Sequence, residues 1–488
     1  MTQPVPEKEV RFRTRTALLL AFLFPASRVF CQSAPVSPDR PWHSAQEQEI
    51  QRESNNVSGY AAKLSIDATE SYSLAELIDL AEAHNPETRL AWERARAQAA
   101  GLGVARSELY PTLVALALSQ TNSSEVLFGT AFYRQTIQAF EGVLDLNYTI
   151  FDFGARSGRI AGARAELLAS NFGFNDAHRR IIYQVEQAYY RLLNTTGQED
   201  AALSSLSNAQ TVQQAAEDRL KQGLATLPDV LEARSATAQA EYELQAVMGA
   251  EETARGDLAT TLGTSPTVTI HVQPLNELPI PESIGDTVEQ AIDRALEQRP
   301  DLMQQVAEIR SAKGKVKEAR AAFYPDLNLA ATPSGQSLYG TQQALPWIHT
   351  AGFYGGLSLT LSWSLFDGGA RKNNLAQAEA SLRAAEARAN LARDQVADEV
   401  WTAYSNLHTA FRQRQAATAL LEAARQSYAA ALESYNYGLR SQLDVTQAQR
   451  SLAQARSTDV LARTQVLSYL ADLAFRTGDS IQAGARKP

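Results

Sequence analysis

The sequence predicts a mainly α-helical chain that also contributes strands to a transmembrane β-barrel, and three features support this prediction. Residues 370–437 are rich in Ala and contain neither Pro nor Gly, so they are expected to form one helix about 100 Å long. The two halves of the chain repeat the same short motifs at a nearly constant spacing. Several short segments alternate apolar and small polar residues, as the wall of a membrane barrel does.

The repeated motifs indicate a tandem duplication. Pro86 and Pro300 are each followed by an acidic residue and lie 214 residues apart. The later pairs lie 215 residues apart: Phe151 and Phe366, Tyr189 and Tyr404, Gly223 and Gly438, Asp229 and Asp444. A single residue of slippage over such a distance is hard to obtain by chance, so each half is one structural repeat.

This duplication divides the chain into six segments. We expect a signal peptide at residues 1–33, a flexible segment at 34–70, a first repeat at 71–262, a connector at 263–286, a second repeat at 287–477 and a C-terminal tail at 478–488. The connector is rich in Pro, and residues 267–270 within it are expected to form a short strand.

The N-terminus has the pattern of a secretory signal. Three Arg residues precede a short apolar stretch at residues 17–24, and small residues near Ser33 suit a cleavage site. Attachment of a lipid to Cys31 is the alternative, although bulky and charged residues stand where lipidation signals place small ones. The sequence leaves both fates of Cys31 open.

Each repeat is expected to contain two short helices, two strands, a very long helix and a return helix. Capping residues, Pro at the first turn and Gly at the breaks define these boundaries. The predicted helices cover residues 73–83, 86–108, 155–222 and 228–262 in the first repeat, and 287–298, 300–322, 370–437 and 442–475 in the second.

The strands show one apolar and one small polar face. Leu357, Leu359 and Leu361 alternate with Ser and Thr, and residues 140–150 alternate in the same way. Their partners are expected at residues 111–121 and 325–333. A soluble sheet with one buried face would show the same alternation, but the secretion signal and the strand length favour the membrane. Four strands cannot close a barrel, so two copies would supply eight strands and three copies twelve.

Composition excludes several other functions. The formal net charge of −9 argues against a nucleic-acid partner, and a single Cys excludes an internal disulfide framework. No apolar stretch reaches the roughly 18 residues of a membrane-spanning helix. The six His residues lack metal-ligand spacing and there is no Gly-rich phosphate loop, so we expect no enzyme activity, no metal and no cofactor.

Taken with the Gly-Leu-x₄-Asp-Val segments of both halves, the duplicated order resembles the TolC-like outer membrane efflux proteins over roughly residues 71–477. This resemblance implies a homotrimer in outer-membrane lipid, with a twelve-stranded barrel continued by a long periplasmic α-helical barrel. It implies the passive exit duct of a tripartite efflux or type I secretion system. The implied partners are a periplasmic adaptor (membrane fusion) protein and an inner-membrane transporter of the RND or ABC type. The substrate stays open.

The resemblance also implies functional residues at the breaks between antiparallel helices. Gly223, Leu224, Gly438 and Leu439 occupy the periplasmic tips that contact the adaptor. In TolC-like proteins, polar contacts among neighbouring residues hold the entrance closed.

By motif match, the gate positions are Tyr435, Arg440, Asp444 and Asp229. Two departures point to a looser contact here: Gln447 replaces a second acidic residue, and Pro228 replaces a hydrogen-bonding one. Asp444 from each copy would form a carboxylate ring that favours cations.

Simpler alternatives accompany these interpretations. Thr226 with Asp229 and Ser441 with Asp444 have the spacing of capping boxes, so each Asp is explained equally by the start of a helix. A non-conducting periplasmic helical scaffold would account for the helices but not for the amphipathic strands.

Overall fold

The computed structural model shows each repeat as two short helices, a pair of strand paths, one very long helix and a return helix. The structure describes residues 50, 52–53, 71–275, 278–281, 283, 285–342 and 346–479. The expected signal peptide, Cys31, the flexible segment apart from residues 50, 52 and 53, and the tail beyond residue 479 lie outside the described residues. The described residues from 71 to 479 belong to one compact unit.

The helices between residues 71 and 479 are α1 Leu74–His84, α2 Pro86–Ser107, α3 Ala155–Lys221, α4 Leu227–Thr261, α5 Val288–Gln298, α6 Pro300–Ala321, α7 Ala370–Asn436 and α8 Gln442–Thr477. Every predicted boundary agrees with the structure to within two residues. At 1.5 Å per residue, α3 and α7 are each about 100 Å long. Among the described residues, no helix is long and apolar enough to cross a membrane.

The return helices continue end to end into the short helices. Gly263, just after α4, lies against His84, Asn85 and Pro86, where α2 begins. The Asn85 side chain caps α2 by accepting from the N–H of Glu87 at 2.7 Å, and its amide donates to the carbonyl of Thr261 at 2.9 Å. The Asn85 side chain therefore satisfies backbone groups both at the end of α4 and at the start of α2.

Where α8 meets α6 in the second repeat, the Asp301 carboxylate accepts from the N–H of Leu302 at 3.0 Å, and Arg299 serves the end of α8. Its guanidinium is 5% exposed and donates to the carbonyl of Arg476 at 3.3 Å. It also pairs with Asp301 at 2.6 Å and with Glu399 of α7 at 2.8 Å. Burial alone would raise the pKa of Asp301, but the hydrogen bonds and charge of Arg299 lower it overall. The junction is thus a buried charge network whose members satisfy one another.

The two repeats meet most closely where α3 packs on α6. A Cβ atom added to Gly314 would lie 2.6 Å from the backbone nitrogen of Gly162 and 2.8 Å from the carbonyl oxygen of Gly158. A Cβ on Gly158 would lie 2.7 Å from the backbone nitrogen of Glu318. Three glycines therefore allow backbone to approach backbone at this crossing.

The main apolar core lies farther along α3, where it contacts α1, α4 and the connector. It is built from fully buried side chains such as Leu77, Ile181, Tyr189, Leu258 and Ile270. The connector strand differs from the prediction: residues 267–270 form no strand, and His271–Val272 (β4) pairs in parallel with Ser71–Tyr72 (β1). Ile270 is instead buried in the core, and pairing begins at the next residue, His271.

A single antiparallel sheet contains the remaining strands: β2 Thr112–Phe128, β3 Ala131–Phe151, β5 Asp326–Ala331, β6 Ser334–Gln342, β7 Ile348–Tyr354 and β8 Leu357–Ser362. β3 pairs with β2 on one side and with β5 and β6 on the other. β8 then pairs with β5, and β7 with β6. Pro333, which lacks an N–H, interrupts the third expected strand between β5 and β6, and Gly355-Gly356 interrupts the fourth between β7 and β8. The six strands therefore lie on four strand paths.

The hairpin of β2 and β3 is longer than predicted, since pairing was expected only over residues 111–121 and 140–150. The polar residues beyond Thr121 remain in register across the hairpin, with Ser123 Oγ 3.1 Å from Thr136 Oγ1. Cross-strand pairing of polar side chains extends a strand without an apolar face, and alternation alone gives no sign of it.

The predicted two-faced character of the sheet is confirmed. Leu329 pairs with Leu359 on one face, and on the other Thr149 donates to Asn328 at 2.8 Å. Leu357, Leu359 and Leu361 are 76%, 62% and 66% exposed in the single chain. An apolar sheet face of this kind requires lipid or protein to cover it.

We expect Gly314→Ala to lower the free energy of unfolding by about 1–3 kcal/mol, because the added methyl group overpacks against the backbone of α3. Thermal or denaturant unfolding of the purified protein in detergent measures this. The matched control is Gly103→Ala in α2, where an added Cβ meets no atom within 4 Å. Since Ala is the better helix former, the control should be neutral or stabilising, and equal losses in both variants would contradict the close approach.

Candidate functional site

Two tight turns bring the ends of the long helices together. Gly223, just after α3, has φ 74°, and Gly438, just after α7, has φ 75°, a left-handed conformation that favours glycine. The N–H of Leu224 donates to the carbonyl of Arg219 at 2.8 Å, and the N–H of Leu439 donates to that of Ser434 at 2.9 Å. Both turns are Schellman motifs, which reverse the chain directly after a helix.

The turns expose apolar side chains. Leu224 is 64% exposed and Leu439 is 79% exposed, and Leu227 and Leu443 beside them are also exposed. We call these four leucines the tip surface. In a Schellman motif the residue after the glycine often packs back on its own helix, so their exposure leaves an apolar surface available at the helix ends.

Asp229 and Asp444 each complete a capping box. The carboxylate of Asp444 accepts from the backbone N–H and the hydroxyl of Ser441 at 3.0 and 2.8 Å. The carboxylate of Asp229 accepts from the same groups of Thr226 at 2.8 and 2.7 Å. The structure therefore bears out the capping interpretation for both residues.

Hydrogen bonds from Thr226 and Ser441 lower the pKa of Asp229 and Asp444 below the ordinary value of 3.8. Because the folded-state pKa is lowered, the caps contribute stability above about pH 4. That contribution is lost as the pH falls through the lowered pKa values.

Arg440 and Asp444, two of the residues placed at the gate by motif, contact each other within one chain. Arg440 Nη1 lies 3.6 Å from Asp444 Oδ1, and the two side chains are 59% and 41% exposed. Solvent screens such an exposed pair, so it contributes little to stability. It forms a weak contact that a partner can break.

Tyr435 differs from the other predicted residues because it is buried. Its side chain is 4% exposed and packs with Val212 of α3 and Val445 of α8. Its hydroxyl has no hydrogen-bond partner in the part of the chain that the structure describes. Burial raises the pKa of Tyr435, and the nearby charge of Arg219 partly opposes this.

Arg219 is the residue that the sequence analysis missed. Its guanidinium stacks over the Tyr435 ring at 4.6 Å and donates to the carbonyl of Tyr435 at 2.7 Å. It also contacts the carbonyl of Asn436 at 3.4 Å. A cation here complements the unsatisfied carbonyls and the negative dipole end of α7. A difference between the two repeats was the sequence signal for Arg219, because the equivalent residue of the second repeat, 215 positions later, is Ser434.

Arg219 thus joins the first tip to the second. The charge of Arg219 acts to lower the pKa of both Asp229 and Tyr435. The sequence had assigned these two residues to the gate only by motif match. Arg440 and Asp444 form a separate contact on the second tip. Pro228 and Gln447 are the two residues that differ from the TolC-like pattern. Pro228 lies in the first turn of α4, where Pro is common, and Gln447 is exposed on α8.

Comparison with known proteins assigns this architecture to a family. The outer membrane efflux protein family matches residues 77–264 and 291–479, one match in each half of the chain. The chain belongs to the outer membrane efflux protein family. The TolC-like resemblance seen in the sequence is therefore confirmed, and the outer membrane is the location of this protein.

Individual relatives agree with this assignment. Protein CyaE of Bordetella pertussis is 28% identical over 417 residues, covering 83% of this chain and 84% of that protein. The crystal structure of a membrane protein from Pseudomonas aeruginosa aligns with a TM-score of 0.73 at 23% identity, covering 83% of this chain and 90% of that one. The Campylobacter jejuni CmeC outer membrane channel aligns with a TM-score of 0.69 at 19% identity, covering 85% and 89%.

These relatives define the class of this outer membrane efflux protein. The family and the relatives named above are outer membrane efflux and channel proteins. Within the described ranges, no group of three or more His, Cys, Asp or Glu side chains is placed to hold a metal ion.

We expect Arg219→Met to loosen the end of α7, because the Tyr435 and Asn436 carbonyls lose their charged donor. Local opening of residues 434–439 should become easier by about 1–2 kcal/mol, measured as faster amide hydrogen exchange. Lys221→Met is the matched control, since Lys221 pairs only with Asp218 on its own exposed helix end. Similar exchange in wild type and Arg219→Met would show that Arg219 does not hold the two tips together.

Proposed function

We propose that three copies of this outer membrane efflux protein form one passive duct. Their sheets would close a twelve-stranded barrel in the outer membrane, and their helices would continue it as a periplasmic tunnel. The observation that carries the proposal is the open sheet, which has one exposed apolar face and an unpaired edge at each side.

The unpaired edges require another chain. Among the described strands, β2 pairs only with β3, while β7 and β8 pair only with β6 and β5. Backbone groups at an open edge are not tolerated in lipid, because no water is present to satisfy them. Pairing of β2 with β7 and β8 of the next copy would satisfy both edges.

The size of the barrel favours three copies over two. An eight-stranded barrel has an interior just wide enough for side chains to fill, whereas a larger barrel leaves room for passage. Twelve strands therefore suit a duct, in agreement with the trimer that the TolC-like resemblance implies.

The duplication suggests how the helices of neighbouring copies meet. Within one chain, Gln198 of α3 donates to the carbonyl of Ser457 of α8 at 2.8 Å. The residues at the corresponding places in the other half are Gln413 of α7 and Tyr242 of α4. Both are exposed in the single chain, Tyr242 to 73%. We infer that α7 of one copy packs on α4 of the next.

The helix tips would provide docking and gating. The tip surface, with Gly223 and Gly438 forming its turns, offers apolar contacts for a periplasmic adaptor. The weak Arg440–Asp444 contact, together with Asp229 and Tyr435 around Arg219, would hold the entrance until the adaptor binds. Energy would come from an inner-membrane transporter of the RND or ABC type.

Single-channel conductance in a planar bilayer tests the duct and the gate together. We expect the wild-type protein to show a small, cation-selective conductance. Asp444→Asn should reduce the cation preference on the order of twofold, because the entrance loses one negative charge from every copy.

Ser441→Ala is the matched control, since it removes the cap of α8 but keeps the Asp444 charge. Equal changes in both variants would assign Asp444 to helix capping alone. A protein that never inserts into the bilayer would contradict the duct itself and support the scaffold alternative.

Engineered cysteines test the contact between copies. Gly197 of α3 approaches Val460 of α8 within one chain, and the corresponding residues across the proposed interface are Arg412 and Gln245. With Cys31→Ser as background, oxidation of Arg412→Cys/Gln245→Cys should join chains in a ladder that ends at three.

The control pair is Arg412→Cys/Gln239→Cys, which moves the second cysteine about 9 Å along α4. A ladder that ends at two chains, or equal cross-linking of the control pair, would contradict the proposed trimer contact.

A further inference from the structure

A groove on the helical body lies apart from both the sheet and the tips. It is bounded by α3, α7, α8 and the connector, and its cavity volume is about 380 Å³. Leu193 and Gly197 form one wall, and Leu275 of the connector forms another. Arg456 lies fourteen residues along α8, so the groove is roughly 20 Å from the helix tips.

The groove carries an excess of positive charge. Arg425, Arg456 and Arg463 line it, against Asp200 and Asp459. Asp459 accepts a long hydrogen bond from Thr418 at 3.5 Å. In the part of the chain described by the structure, neither Arg425 nor Arg456 forms an ion pair, although the protein as a whole has a net charge of −9.

Arg456 is the most unusual of these groups. Its Nη1 atom is shielded from solvent and has no hydrogen-bond partner among the described residues. Burial, together with the like charge of Arg425, lowers the pKa of Arg456. Burying a cation without a partner is unfavourable, and an anion bound between the two guanidinium groups would remove the cost.

The duplication does not explain this charge. The residue 215 positions before Arg456 is Glu241, and the residue 215 positions before Arg425 is Gln210. In the first repeat, α3 and α4 therefore form the equivalent helix pair without either arginine. Packing of the long helices does not require them, which points to a ligand.

We propose that the groove binds a small oxyanion, a phosphate or carboxylate compound, between Arg425 and Arg456. Planar guanidinium groups on two different helices suit the several oxygens of such a group. Binding would link α7 to α8 midway along the helical body. A carboxylate side chain from a second copy is the competing occupant.

Calorimetry with inorganic phosphate tests this site on the purified full chain in detergent, at ionic strength held constant with sodium chloride. We expect one phosphate per chain and at least about a tenfold loss of affinity in Arg456→Gln. Arg456→Lys should be intermediate, because it keeps the charge but loses the paired donors. Arg450→Gln is the matched control, since it removes the same charge from an exposed position on α8.

Thermal unfolding supplies a second readout. Without phosphate, Arg456→Gln should be at least as stable as the wild type, because it removes a half-buried cation whose Nη1 atom has no hydrogen-bond partner among the described residues. Phosphate should stabilise the wild type and Arg450→Gln most, Arg456→Lys less and Arg456→Gln least.

Three outcomes would overturn the proposal: no phosphate binding, binding that Arg450→Gln weakens equally, or an Arg456→Gln variant that is unstable without phosphate. Absence of binding in the assembled protein would indicate that a second copy or water fills the groove. Neither measurement depends on conduction, so the result is independent of the proposed duct.

Discussion

The end-to-end joining of helices is the interaction on which the rest of the structure depends. A return helix and a short helix each present unsatisfied backbone groups at the junction, and side chains there must serve both. Asn85 serves both ends with its amide. At the second junction the task is divided, because Arg299 donates to the end of α8 and its partner Asp301 accepts from the start of α6. Because both junctions are satisfied internally, two short helices continue two return helices as rods beside α3 and α7.

Duplication gave the chain two similar halves, and divergence between them produced its specific contacts. Gly158 lets α3 approach α6, whereas the corresponding residue of the second half is Asn373. Arg219 bridges the two tips, while Ser434 at the equivalent position only closes its own turn. The halves therefore share an architecture but present different surfaces, as a chain needs when it contacts both itself and its copies.

The charged groups are distributed according to how firmly each region is held. At the junction, Arg299 is nearly buried and paired twice, so removing one partner would leave an uncompensated charge. At the tip, Arg440 and Asp444 are exposed and contribute little. A firmly held body with weakly held ends suits a channel that opens at its tips while its wall stays intact.

The sequence by itself determined the helices, the strand faces and the duplication, because periodicity and capping are local properties of the chain. Pro86, Gly223 and Ser441 marked boundaries correctly, since their effects act within a few residues. It also identified both capping carboxylates, Asp229 and Asp444.

Only the tertiary structure decided which distant residues meet. The burial of Tyr435, its stacking with Arg219 and the polar extension of the β2–β3 hairpin depend on partners far along the chain, so no local pattern announces them. The same holds for Arg425 and Arg456, which two antiparallel helices bring to one groove.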